Sequence, residues 1–125
     1  MNLIDANLSN VKKVDKPWGY EIWMANNESN DYCGYCGKIL FIKKGFESSL
    51  HFHYEKTETL YVQSGLLKVK LIDTEKGEEH EGVIKEGQSL ELNPPLPHKL
   101  IALEDTTIIE SSTFHKDSDS HRISR

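Results

Sequence analysis

The chain has 125 residues, with 15 basic against 20 acidic side chains and a formal net charge of −5. That length suffices for one hydrophobic core and predicts a single domain over residues 1–125. An acidic chain without a Lys/Arg block suits a nucleic-acid backbone poorly, although a local basic pocket for a small anion stays open.

The N-terminus, MNLIDANLSNVKK, has no apolar run long enough for a signal peptide or membrane helix, and none follows later. The expectation is a soluble cytoplasmic protein. Residues 1–14 are polar and read as a mobile arm or an edge strand. Of the aromatics Trp18, Tyr20 and Trp23, at least two are expected to plug one end of the core rather than stack on a sugar. Cys33 and Cys36 lie in the doubled tripeptide YCGYCG. A lone CxxC with no helix N-terminus behind it reads as a loop, and no disulfide framework is present.

From Lys38 onward the pattern changes to short apolar runs bounded by turn residues. KILFIKK, SSLHFHY, TLYVQS, LLKVKLID, GVIKE, SLELN, HKLIAL and TTIIESSTF each read as strands. Many short strands at close spacing, with no helical stripe, predict an all-β sandwich or barrel over 15–113. The stretch 114–125 reads as a polar tail crossing the surface or a partner subunit, with His115 and His121 solvated.

Within GFESSLHFHYEKTETLYVQSG (45–65), His51 and His53 project to one face of a strand, because side chains alternate. Glu47 and Ser49 share that parity. Two imidazoles so placed can reach one ion at about 2.0–2.2 Å. Glu58 lies past the turn YEKT, where a returning antiparallel strand can supply a carboxylate. His98 follows NPPLP and precedes KLIAL, adding a third imidazole. Three imidazoles and a carboxylate suit one divalent transition metal (Zn, Mn, Fe, Co or Ni) with positions left for water or substrate. His80, in a charged turn, reads as a surface residue.

These residues resemble the cupins. Gly45, five residues, His51-x-His53, four residues, Glu58, six residues and Gly65 reproduce the first cupin motif. Gly87 and His98 keep the spacing of the second, while Asn93, Pro95 and Ala102 replace its proline, glycine and asparagine. The resemblance covers about residues 38–113. It implies a cupin-type double-stranded β-helix, or jelly-roll barrel, with His51, His53, Glu58 and His98 as metal ligands inside its mouth, and a homodimer. Lys16-Pro17-Trp18-Gly19-Tyr20-Glu21 resembles the Arg-Pro-Trp-Gly-x-Tyr-Glu entry of type II mannose-6-phosphate isomerase domains, with Lys for Arg and one residue fewer. This implies a small-molecule ligand, a sugar or sugar phosphate.

Aldose–ketose isomerisation or epimerisation needs a base and positive charge at the enediolate oxygen. Glu110, amid Ile108, Ile109 and Ser111, and Glu47, on the His51 face, are the candidate bases. Lys16, Lys99 and Arg122 are candidate cations for a phosphate. Tyr61 is opposite in parity to Glu58 and is expected outside the mouth. Two other readings stand beside the isomerase: a metal-containing protein that binds a small carbohydrate or acid without turnover, and an Fe(II) dioxygenase.

Overall fold

The computed structural model describes residues 2–124. A short helix α1 (Leu3–Asn7) leads into eleven strands: β1 (Lys12–Lys16), β2 (Gly19–Asn27), β3 (Tyr35–Ile42), β4 (Leu50–Phe52), β5 (Glu58–Ser64), β6 (Leu66–Asp73), β7 (Glu78–Lys85), β8 (Ser89–Leu92), β9 (His98–Ala102), β10 (Thr106–Ser112) and β11 (His121–Ser124). They form two antiparallel sheets, ordered β1-β2-β3-β10-β5-β8 and β11-β4-β9-β6-β7. The all-β jelly roll expected from the sequence is what the chain adopts.

Strict alternation sets the interior. On β3, Cys36, Lys38, Leu40 and Ile42 are buried while their neighbours face outward. Leu60 and Val62 on β5, Leu67 and Val69 on β6, Leu100 on β9 and Ile108 on β10 meet the β3 residues in one core. Placing six such side chains out of water is worth about 1.5–3 kcal/mol each, less the entropy of fixing them. Gly65 joins β5 to β6 at a φ of +100°, where a Cβ would collide with the Asp105 carbonyl. Only glycine fits that turn.

Four sequence expectations need correction. The N-terminal arm enters edge strand β1 at Lys12, as one of its two readings had it, but also contains a helical turn, capped by the Asn2 side chain, which accepts the Ile4 N–H at 2.7 Å. Strand β2 lies outside the runs read as strands, because its inward residues include Glu21 and its apolar pattern is broken. Strand β7 begins inside the acidic run rather than after it. Lys68 and Lys70 on β6 pair with Glu79 and Glu81 across the hairpin, so charged side chains support a ladder there. Finally, the C-terminal stretch is no surface tail: β11 pairs with β4, and Asp119 is 6 % exposed.

Candidate metal centre

Strands β4, β5 and β9 bring the four predicted ligands to one end of the barrel. His51 stands directly opposite His98, and His53 follows just past the end of β4. Nitrogens of the three rings lie within 4.8 Å of one another. Each ring is tethered at Nδ1: His51 to the Ser49 carbonyl at 3.0 Å, His98 to the Leu96 carbonyl at 2.9 Å, and His53 to the Asp119 carbonyl at 3.1 Å. A carbonyl only accepts, so each Nδ1 carries the proton and each Nε2 keeps a free lone pair. Burial, with the neighbouring His98, pushes the His51 pKa down to about 3. Burial and the Lys56 ammonium push His53 down to about 4. Both rings are therefore neutral at pH 7, the form that ligates metals.

Glu58 completes the set. Its Oε1 is 3.6 Å from His98 Nε2, and its Oε2 is 3.6 Å from His53 Nε2. Donors bound at about 2.1 Å to a common ion stand roughly 3–3.5 Å apart, so these spacings need little adjustment. The buried Glu58 Oε2 has the Lys56 ammonium 3.1 Å away on one side and the imidazoles on the other. Three imidazole lone pairs and this carboxylate converge on one point as acceptors facing acceptors, and a cation resolves that conflict. The residues present thus fit a divalent ion.

Sequence reasoning missed the cation at the centre of the site. Lys56, 4 % exposed, reaches Glu58 Oε2 and Glu110 Oε2, each at 3.1 Å, and donates to His115 Nδ1 at 3.2 Å. Burial alone would lower its pKa, but the two carboxylates outweigh burial and raise it, holding the ammonium charged. Lys56 lies in the turn YEKT, where a lysine reads as solvated; its shared parity with Glu58 was the available signal. His115, expected in solvent, is buried enough that desolvation and Lys56 lower its pKa. Its Nε2–H donates to Asp117 Oδ1 at 3.0 Å.

A cavity of about 430 Å³ opens from this centre. Lys38 and Trp23 form one wall, the ammonium 4.0 Å from the ring centroid and 3.7 Å from Glu21. Glu110 is buried at the cavity, where it is ion-paired with Lys56 and accepts from Ser112 Oγ at 3.3 Å. Glu47 departs from the reading that set it on the His51 face. Glu47 stands opposite Ile101, whereas His51 stands opposite His98. Four steps on one strand span three on the other, and the extra residue reverses the parity. Glu47 consequently reaches only the rim, held by Lys99 at 2.7 Å. Lys16 and Arg122 also line the mouth, and neither forms an ion pair among the described residues.

The aromatic expectation also needs revision. Trp18 packs on the core, but Tyr20 stacks on Phe41 on the outer face, and Trp23 faces the cavity. Tyr61 is outside, as its parity implied. Cys33 is exposed and Cys36 buried, both as free thiols.

No protein-family model and no curated protein matches the sequence. Solved structures do. The capsular polysaccharide assembling protein CapF from Staphylococcus aureus is 14 % identical, with a TM-score of 0.80 over 97 % of this chain and 35 % of that one. CapF with the inhibitor 3-isopropenyl-tropolone matches at 14 % identity and a TM-score of 0.78, over 93 % of this chain and 34 % of that one. A variant of oxalate decarboxylase from Bacillus subtilis is 20 % identical, with a TM-score of 0.79 over 91 % of this chain and 30 % of that one. The chain spans about a third of the length of these structures. Both proteins have the cupin fold, and so does this chain.

Proposed function

We propose that this chain is a divalent-metal cupin that isomerises or epimerises a small sugar or sugar phosphate, with His51, His53, Glu58 and His98 holding the metal. The observation that carries the metal reading is the convergence, beside the Glu58 carboxylate, of three imidazoles whose Nδ1 atoms are already tied to carbonyls. A divalent ion supplies Lewis acidity toward a substrate carbonyl. In this reading Glu110 removes the proton from the adjacent carbon and returns it to the neighbouring one. The Lys56 ammonium, 3.1 Å from Glu110, keeps that carboxylate aligned between transfers. Lys16 and Arg122, without an ion-pair partner among the described residues, supply positive charge at the mouth for a phosphate, whereas Lys99 is neutralised by Glu47. A carbohydrate ligand is supported by the Lys16–Glu21 resemblance and by the capsular-polysaccharide assignment of the CapF neighbour.

One observation favours a second reading, a carbohydrate-binding protein without turnover: both candidate bases, Glu110 and Glu47, are occupied by lysines. The two readings part in deuterium oxide. Metal-loaded protein incubated with hexose phosphates should exchange the substrate's C2 proton, read by NMR, and Glu110→Gln should abolish exchange while keeping the metal. Ligand-induced stabilisation without exchange would establish the binder instead.

The same proposal includes the single cupin domain and a homodimer. Ile22, Ile39, Ile109 and Tyr61 stand in direct cross-strand sequence on the outer face of the six-stranded sheet, beside the Tyr20–Phe41 stack. An apolar face of that kind is usually covered by a partner. Light scattering at a dimer mass, reverting to monomer in Ile39→Lys, is the expected result.

A further inference from the structure

The segment after β10 makes contacts that a simple edge strand would not need. Asp119 closes a 3-10 turn at Asp117–Asp119 and turns its carboxylate inward. Its Oδ1 accepts the N–H of Tyr54 at 2.9 Å and of Glu55 at 3.2 Å. Its Oδ2 accepts the N–H of Glu55 at 3.2 Å and of Lys56 at 3.1 Å. Three consecutive amides of one turn thus converge on one carboxylate, a concavity suited to anions and filled here by the chain itself. The Asp119 backbone carbonyl then accepts the Nδ1–H of His53 at 3.1 Å.

Those five contacts fall on the loop between two predicted ligands. His53 precedes the turn, Lys56 lies in it and Glu58 follows it. Residue 119 is 66 positions from His53 in sequence, so nothing local fixes this loop. Other anchors hold the same segment: His115 and Asn26 exchange two hydrogen bonds at 2.8 and 3.0 Å, and Arg122 pairs opposite His51 on β4.

We propose that Asp119 is a positioning residue for the metal centre, and that docking of the 115–124 segment and metal binding are thermodynamically linked. The inference rests on the proposed ligand set. Its physical content is that the carboxylate fixes the turn from which Glu58 departs, while the carbonyl fixes the face of the His53 ring. Partners that orient metal ligands in this way alter affinity about 10- to 100-fold when removed. Linkage is reciprocal: if docking raises affinity, a bound ion must tighten docking.

The test uses the full chain with zinc and with cobalt(II), in the native protein, Asp119→Asn and Asp119→Ala. Asp119→Asn retains one acceptor oxygen. Zinc affinity is measured by chelator competition, coordination by the cobalt ligand-field spectrum, and docking by amide hydrogen exchange at Tyr54, Glu55 and Lys56. The native protein should show slower exchange at those amides when zinc is added. Affinity should fall about 10-fold or more in Asp119→Ala, with a changed cobalt spectrum and an intermediate value for Asp119→Asn. Should Asp119→Ala fail to melt cooperatively, the native exchange data and Asp119→Asn decide the matter. Native affinity and an unchanged cobalt spectrum in either folded variant, or zinc-independent exchange in the native chain, would overturn the linkage alone. A native chain that binds neither ion would instead overturn the metal reading on which it stands.

Discussion

The two ends of the barrel interior are built from the same strands and have opposite chemistry. Toward the closed end, β3 points Leu40 and Ile42 inward, β5 points Leu60 and Val62, and β10 points Ile108. Toward the open end the same strands present Lys38, Glu58 and Glu110, while β9 changes from Leu100 to His98. Alternation is identical throughout; only the level along the strand differs. A buried charge survives where it meets an opposite charge at the same level, as Lys56 meets Glu58 and Glu110. One layer lower, the same positions must be apolar, because no partner is there to offset desolvation.

Disturbing the charged layer should have the largest effect. Lys56→Met strands two carboxylates and should destabilise the metal-free protein by about 3–5 kcal/mol, measured by urea unfolding. In the apolar layer, Leu60→Ala should cost about 2–5 kcal/mol through the cavity it leaves, with metal content per folded chain unchanged. His98→Ala should preserve a cooperative melt but reduce metal content sharply by elemental analysis. Equal metal content in His98→Ala and the native chain would remove the ligand assignment.

Acid should separate the layers more gently. Burial opposes ionisation of Asp119, but the N–H groups of Tyr54, Glu55 and Lys56 outweigh it and hold its pKa below the ordinary 3.8. The stability this carboxylate contributes is complete above 3.8 and is lost as pH falls through the lower folded value. Asp119→Asn should flatten that acid limb of the stability profile and leave the neutral limb unchanged in shape. The smallest effect is expected at the exposed hairpin, where Lys70→Ala should leave the thermal midpoint within experimental error despite its contacts with Glu79 and Glu81.

Legibility in the sequence followed the same division. His51 and His53 were readable because a two-residue period puts both on one face, and Glu58 and His98 because each begins the next inward strand. Glu47 was misplaced because parity counting assumes an uninterrupted ladder, and one extra residue between Glu47 and His51 turns the side chain outward. Lys56 escaped notice because a lysine in a polar turn is ordinarily solvated. Its burial is tolerable because Glu110, arriving on β10 from 54 positions away, joins Glu58 around the ammonium. Asp119 sits in a polar run with no apolar neighbour to mark it as interior.

Periodicity and spacing alone determined the all-β class, the inward faces of the central strands and the four residues proposed as ligands, since strand geometry fixes where alternate side chains point. The tertiary structure decided which charges neutralise one another, which strand carries a register shift, and that the 115–124 segment packs against the 53–56 turn. Those features depend on contacts between residues tens of positions apart, and the free energy of such a contact is set by the partner's position in space, which no local pattern encodes.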